Sequence, residues 1–161
     1  HFTTYCELGG KMAAKGGAKA LIRATQIAIG HKNDLGIEVN CENGTLIWRQ
    51  EDAERIQIRL PGEPDRDYWR GELGGKDPVL GRIPKWVSEE PQVPSGHVEA
   101  FHDAYRRLHA AFEDDVRKYN AGRKFTCDGS KYANVDDGVA HMKFVEAAVK
   151  SAKNNSRTVK P

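Results

Sequence analysis

The sequence predicts an α+β fold: one domain over residues 1–161, built as a large, mainly antiparallel, open-faced sheet with amphipathic helices on one face. Three observations predict it. Alternating apolar and polar residues, the period of a half-buried strand, recur through residues 2–60. Two long stretches after residue 95 carry apolar residues every three or four positions, the period of a helix. The connections between most of the alternating stretches are short, which favours antiparallel pairing.

The clearest element is a hairpin over residues 35–50. Ile37, Val39 and Cys41 alternate with Glu38 and Asn40. The return strand sets Leu46, Trp48 and Gln50 on one face and Thr45, Ile47 and Arg49 on the other. Asn43-Gly44 between them suits a type I′ turn, whose two central residues need φ > 0. A lone hairpin is marginal in water, so a larger sheet is required. Residues 2–8 supply one strand, rich in β-favouring types. Residues 18–29 supply another. Leu21, Arg23, Thr25, Ile27 and Ile29 lie on one face, with Ala20, Ile22, Ala24, Gln26 and Ala28 on the other. Both faces are largely uncharged, as in a central strand covered on both sides; the alanines leave a helix as the rival reading. Residues 55–60 alternate again and make a further half-buried strand.

Residues 61–95 hold six of the seven prolines and five glycines, which predicts a long loop. Tyr68, Trp69 and Trp86 would anchor it to the core or to a partner. The first helix is expected from Ser95 as N-cap to Gly122 as terminator, with Val98, Phe101, Tyr105, Leu108, Phe112, Val116 and Tyr119 as its apolar stripe. A polar loop over residues 123–133 follows. The second helix is expected over residues 135–153, capped by Asn134 with Asp137 completing a capping box and stopped by Asn154-Asn155. Residues 157–160 suit a short edge strand. Each helix has a single stripe, so both can lie on one sheet face. No further helix covers the other face, and exposed apolar sheet of that size marks an interface with another domain or subunit.

Composition narrows the function. With 25 basic and 23 acidic residues the net charge is +2. That argues against nucleic-acid or membrane-surface binding. No apolar run approaches the roughly 20 residues of a membrane span, and no leader opens the sequence as given. Cys6, Cys41 and Cys127 are odd in number and include no Cys-x-x-Cys, so reduced thiols in a cytoplasmic protein are expected rather than a disulfide framework or zinc site. The chain begins at His1, and a longer parent is expected.

Chemistry-bearing motifs are few. There is no Gly-x-Gly-x-x-Gly, Gly-x-Ser-x-Gly or His-Glu-x-x-His. Residues 71–77 are one residue short of a phosphate loop and lack the Ser or Thr after the lysine. His102 and His109, seven apart on the first helix, are too widely spaced for a metal pair. His97 would open that helix, placed to cap it or to reach a ligand, and His31 sits in a polar turn with Asn33. Glu113, Asp114 and Asp115 fit a solvated helix face. By themselves these residues form no active site: no catalytic residue and no metal ligand is assigned.

Three stretches, in order and spacing, resemble the C-terminal half of the Gfo/Idh/MocA oxidoreductases. They are residues 18–52, with Ala-Thr-Gln-Ile-Ala-Ile-Gly-His-Lys-Asn-Asp-Leu and later Glu-Asn-Gly-Thr-Leu-Ile-Trp-Arg-Gln-Glu-Asp; Pro-Ser-Gly-His-Val-Glu-Ala-Phe at residues 94–101; and Asn-Val-Asp-Asp-Gly-Val-Ala-His-Met-Lys-Phe-Val-Glu-Ala at residues 134–147. Val98 and Ala100 stand where the family commonly has Pro and Gly. The resemblance implies an α/β domain whose open sheet lines the substrate side and forms a subunit interface. It implies hydride transfer at a hydroxyl carbon of a sugar, cyclitol or related compound. It also implies NAD or NADP in the full-length parent, held by an N-terminal Rossmann domain absent from this chain. The family's cofactor fingerprint, Glu-Lys-Pro segment and Asp/His catalytic helix precede the matched region, so this chain alone would bind no cofactor. Gln26, His31, Asn33 and His97 are the expected substrate-side groups, and a homo-oligomer through the sheet is the expected assembly. The alternatives are a non-catalytic, self-associating interaction module using the exposed sheet face, and a small-ligand carrier.

Overall fold

The computed structural model describes residues 2–8, 17–72, 92–125 and 132–161. Six strands and two α-helices are found there, and every strand pair is antiparallel. The α+β class and the open, antiparallel sheets agree with the sequence. The chain divides into two compact units: His1–His31 with Thr126–Pro161, and Lys32–Phe125. Where one sheet was expected, the described strands form two.

In the first unit β1 (Phe2–Leu8) pairs with β2 (Ala18–Ala24), from Phe2 opposite Ala24 to Leu8 opposite Ala18. The strand expected to reach Ile29 ends five residues earlier. Thr25 Oγ1 accepts the Ile27 N–H at 3.3 Å, a local side-chain bond that competes with the ladder and turns the chain out of it. Leu21 and Ile22 are exposed, so β2 is not the doubly covered strand expected.

The helix of this unit, Val135–Lys153, has the expected boundaries. Asn134 Oδ1 accepts the Asp137 N–H at 3.0 Å, and the Asp137 carboxylate accepts the Asn134 N–H at 2.9 Å. This reciprocal pair satisfies two N–H groups that no helix carbonyl can reach. Asn155, at φ +55, ends the helix. No strand forms over residues 157–160. Gly138 lies inside the helix with nothing within 4 Å of the position a Cβ would take. Gly138→Ala is therefore expected to stabilise the chain by about 0.5–1 kcal/mol, through lower unfolded-state entropy, in a urea titration. A loss of stability would contradict the open space seen there.

The second unit is built on a four-stranded sheet in the order β3 (Gly36–Cys41), β4 (Gly44–Arg49), β5 (Arg55–Arg59), β6 (Arg66–Trp69). The register sets Ile37 opposite Trp48, Val39 opposite Leu46, and Leu46 opposite Ile58. Directly opposed residues share a face. One face therefore carries Ile37, Val39, Leu46, Trp48, Ile56 and Ile58; the other carries Glu38, Asn40, Thr45, Arg49, Arg55 and Gln57 around Ile47. The expected hairpin faces are correct. Its turn is shifted: Cys41 pairs with Gly44, so Glu42 and Asn43 are the central residues, and neither has φ > 0. Gly44 has moved into the strand, at φ +157, with β5 pressed against it.

Strand β6 lies in the stretch expected to be irregular. A turn closed by the Glu63 N–H to Leu60 carbonyl bond (3.2 Å) folds residues 66–69 back onto β5. Of the six prolines that argued against regular structure, the two that precede β6, Pro61 and Pro64, lie in the turn, where no ladder donor is needed. Tyr68 and Trp69 are thus strand residues. Trp86 and Cys127 lie outside the described residues.

The first helix, α1, is Phe101–Asn120, and Val135–Lys153 is α2. Helix α1 starts six residues after the expected cap. Ser95 is in a turn, and Ala100 occupies the N-cap position. Alanine has no side-chain acceptor, so only half of a capping box forms: Asp103 accepts the Ala100 N–H at 3.0 Å. Gly122, at φ +62, follows the helix end as expected. The helical stripes remain exposed, with Phe101 58% and Met142 60% accessible.

Candidate functional site

Among the described residues of the second unit, a connected group of polar side chains surrounds Arg70, the residue after β6. The Arg70 N–H bonds to the Glu54 carbonyl at 2.7 Å, which fixes its backbone at the start of β5. Its side chain then serves four partners. Nε donates to Glu54 Oε2 at 2.8 Å, Nη1 donates to the Val93 carbonyl at 3.3 Å and lies 3.5 Å from Glu99 Oε1, and Nη2 donates to the His97 carbonyl. The planar guanidinium offers five donors in a fixed fork, which a lysine cannot reproduce.

Glu99 completes the arrangement. Its Oε1 accepts the N–H groups of Gln92 (2.6 Å) and Val93 (3.1 Å), and Oε2 pairs with Arg107 of α1. Its own N–H donates to Glu54 Oε1 at 3.0 Å. The side chains of Glu99, Glu54 and Arg70 are 8%, 14% and 18% accessible, so these charges are largely withdrawn from water. Residues 92–100 contain no helix or strand. Their backbone groups bond to this cluster and within a turn in which Pro94 accepts the His97 N–H at 3.2 Å, while Arg106 donates to the Gln92 side chain at Oε1.

Gly71 makes the same junction possible. It has φ +83 in the turn closed by Glu72 N–H to the Trp69 carbonyl, and a Cβ there would stand 3.1 Å from the Ser95 nitrogen. Positive φ is readily available only to glycine.

Burial pushes the Glu99 carboxyl up, but the Gln92 N–H and the Arg107 and Arg70 charges outweigh it and hold the group below its ordinary 4.5. A depressed carboxylate stabilises the fold fully above its unfolded pKa, and that contribution is lost as pH falls through the folded value. The charges facing it are Arg70 and Arg107, with Glu54 alongside. The stability difference between wild type and Glu99→Gln should therefore be constant above about pH 6 and shrink below about pH 4. Parallel urea titrations across that range check it, and a difference independent of pH would contradict it.

The four expected substrate-side residues are all exposed. Gln26 and His31 belong to the first unit, Asn33 and His97 to the second. Asn33 donates to Gln50 Oε1, and the next residue, Asp34 at φ +48, gives its N–H to Glu51 at 2.7 Å. His97 lies in the Pro94 turn, four residues before α1 rather than opening it, with Nδ1 3.2 Å from the Pro94 carbonyl. A carbonyl can only accept, so this contact favours the proton on Nδ1 and leaves Nε2 as an acceptor. Asn33 and His97 are held by separate hydrogen-bond clusters. The sequence reading missed Glu54, Arg70, Glu99 and Arg107. Glu99 sits inside the Pro-Ser-Gly-His-Val-Glu motif, but Arg70 carries no local signal, because its partners lie 16, 23 and 27 residues away.

A small cleft of ≈ 70 Å³ lies on the polar face of the second sheet, lined by Ile47, Arg49, Asp52, Arg55 and Gln57. Arg55 bridges Asp52 and Asp67, and those pairs raise its already high pKa. No group of three or more metal-ligating side chains occurs among the described residues, and no described helix is long and apolar enough to cross a membrane.

No family model and no curated protein matches the sequence. Solved structures do match. An oxidoreductase from Sinorhizobium meliloti is 27% identical with a TM-score of 0.72, covering 89% of this chain and 37% of its own. An oxidoreductase from Pseudomonas syringae is 22% identical with a TM-score of 0.75 and the same coverage. An inositol dehydrogenase homologue from Azotobacter vinelandii, complexed with NADH and myo-inositol, is 22% identical with a TM-score of 0.62, covering 86% of this chain and 35% of its own. The chain thus spans little more than a third of the structures it matches. In fold it is similar to part of these oxidoreductases, and the resemblance of its sequence to the C-terminal domain of the Gfo/Idh/MocA oxidoreductases is borne out.

Proposed function

We propose that this chain is the C-terminal substrate and oligomerisation domain of an NAD(P)-dependent oxidoreductase. Such an enzyme transfers a hydride between a nicotinamide cofactor and a hydroxyl carbon of a sugar, cyclitol or related compound. The observation that carries this reading is the match of 89% of the chain to 37% of an oxidoreductase at 27% identity. The sequence has no glycine fingerprint, so it does not itself fit a dinucleotide. NAD or NADP belongs to a Rossmann domain in a longer, cytoplasmic parent. In this reading His97 Nε2 accepts a hydrogen bond from a substrate hydroxyl, and Asn33 is a further substrate-side candidate of the same unit.

Intact mass spectrometry of the native polypeptide from its source cells tests the proposal. A product at least about twice this length leaves room for a Rossmann domain; a product of this length alone would overturn it. In that parent, His97→Ala should raise KM or lower kcat by about tenfold, the equivalent of one hydrogen bond of about 1.4 kcal/mol. Unchanged steady-state kinetics would remove His97 from the site.

The exposed apolar face of the second sheet favours a second reading, a non-catalytic self-associating module. Ile37 is 54% and Val39 42% accessible there. Sedimentation of the chain as a stable monomer at high concentration would count against it.

A further inference from the structure

We propose that Arg70 and Glu99 are positioning residues that set the orientation of His97 for substrate, through the main chain of residues 92–97; this rests on the substrate-side reading of His97. The segment is irregular and its side chains are exposed. Hydrophobic burial therefore does little to hold it, and its conformation depends on where its backbone polar groups bond.

Those bonds converge on two side chains. Arg70 takes the carbonyls of Val93 and His97, and Glu99 takes the N–H groups of Gln92 and Val93. Glu54, at the start of β5, ties both to the sheet, and Arg107 ties Glu99 to α1. The His97 carbonyl is thus anchored to a guanidinium whose own position is set by two carboxylates. The imidazole on the same residue is steadied by Pro94, itself one residue from the clamped Val93. The close approach of Ser95 to Gly71 points the same way, since the segment is seated against the turn that carries Arg70. A clamp built from charged hydrogen bonds to backbone fixes geometry while the His97 side chain stays exposed.

Hydrogen exchange and histidine NMR on the full chain test this, using Arg70→Lys and Glu99→Gln. Arg70→Lys keeps the charge but cannot serve the Val93 and His97 carbonyls together with Glu54. The expected result for both variants is at least tenfold faster exchange at the hydrogen-bonded amides of Gln92, Val93, His97 and Glu99, unchanged exchange in β3 to β5, and a shift of the His97 ring resonances. In the longer parent, Arg70→Lys should then raise KM or lower kcat without adding to the effect of His97→Ala. Unchanged exchange and unchanged His97 resonances in both variants would overturn the clamp, whatever the kinetics. Should Arg70→Lys unfold the sheet as well, Glu99→Gln decides the matter, because it preserves shape and the Arg70–Glu54 pair. A loosened segment with shifted His97 resonances, but a His97→Ala parent of normal kinetics, would confirm the clamp and overturn only its link to substrate.

Discussion

Replacing Arg70 by methionine is expected to destabilise the chain by about 2–3 kcal/mol in urea denaturation, with the m-value unchanged. The change removes bonds to Glu54, Val93, His97 and Glu99 together. It also strips the shared cation from two carboxylates that are 14% and 8% accessible, leaving Glu54 without this partner and Glu99 with Arg107. Breaking a buried pair from one side costs more than the pair itself contributes, because the remaining charge keeps its desolvation penalty. The residual exposure of these groups and the Arg107 charge left beside Glu99 bring the cost somewhat below the roughly 3–5 kcal/mol of a fully buried pair. Arg59→Met is the control. Arg59 pairs with Asp65 at 3.2 Å, with both side chains about half or more exposed. That substitution should change stability by less than about 0.5 kcal/mol. Equal effects at the two positions would show that the Arg70 cluster is an ordinary surface network.

Gly44→Ala is expected to cost about 2 kcal/mol and to weaken the β4–β5 ladder at the pair Thr45 and Arg59. Its added Cβ would lie 2.7 Å from the Arg59 carbonyl oxygen and 2.9 Å from Leu60 Cδ2. The leucine methyl can swing away, whereas the carbonyl is part of β5 and can move only with its strand. The backbone at φ +157 adds strain for any L-residue. Gly62→Ala separates the two contributions, because Gly62 has φ +76 and nothing within 4 Å of its Cβ position. It should cost only the conformational part, about 1 kcal/mol. Thermal unfolding of the two variants, with hydrogen exchange at residues 45 and 59, measures the difference. Identical costs would show that β5 yields freely and that the close approach is not what selects glycine at 44.

Local elements were legible where the determinants are local. Alternation set Ile37 with Val39 on one face of β3 and Leu46 with Trp48 on one face of β4, and the Asn134–Asp137 box marked the start of α2; which of these residues stand opposite each other followed from the shifted turn. Errors arose where a local signal competed with a distant one. Asn43-Gly44 suggested a primed turn, but β5 claims Gly44 for close approach and moves the turn back one residue. Ser95 looked like an N-cap. The segment it belongs to is held by Arg70 and Glu99, so α1 begins only at Phe101, beyond the clamp. Pro61 and Pro64 suggested a loop with no strand, although they occupy only the turn ahead of β6.

The sequence by itself determined the α+β class, the antiparallel pairing, the apolar face of the hairpin, the second helix with its cap, and the kinship in fold with oxidoreductases. These follow from side-chain period, from capping chemistry acting over three residues, and from motif order. Only the tertiary structure decided that the described strands split into two sheets, that Ile47 is the one buried apolar side chain among the described residues, and that Glu54, Arg70, Glu99 and Arg107 form one cluster. The reason is distance along the chain. Glu54 and Glu99 are 45 residues apart and meet through a hydrogen bond of 3.0 Å. No periodicity encodes such a meeting; it exists only once β5, β6 and the lead into α1 have been brought together.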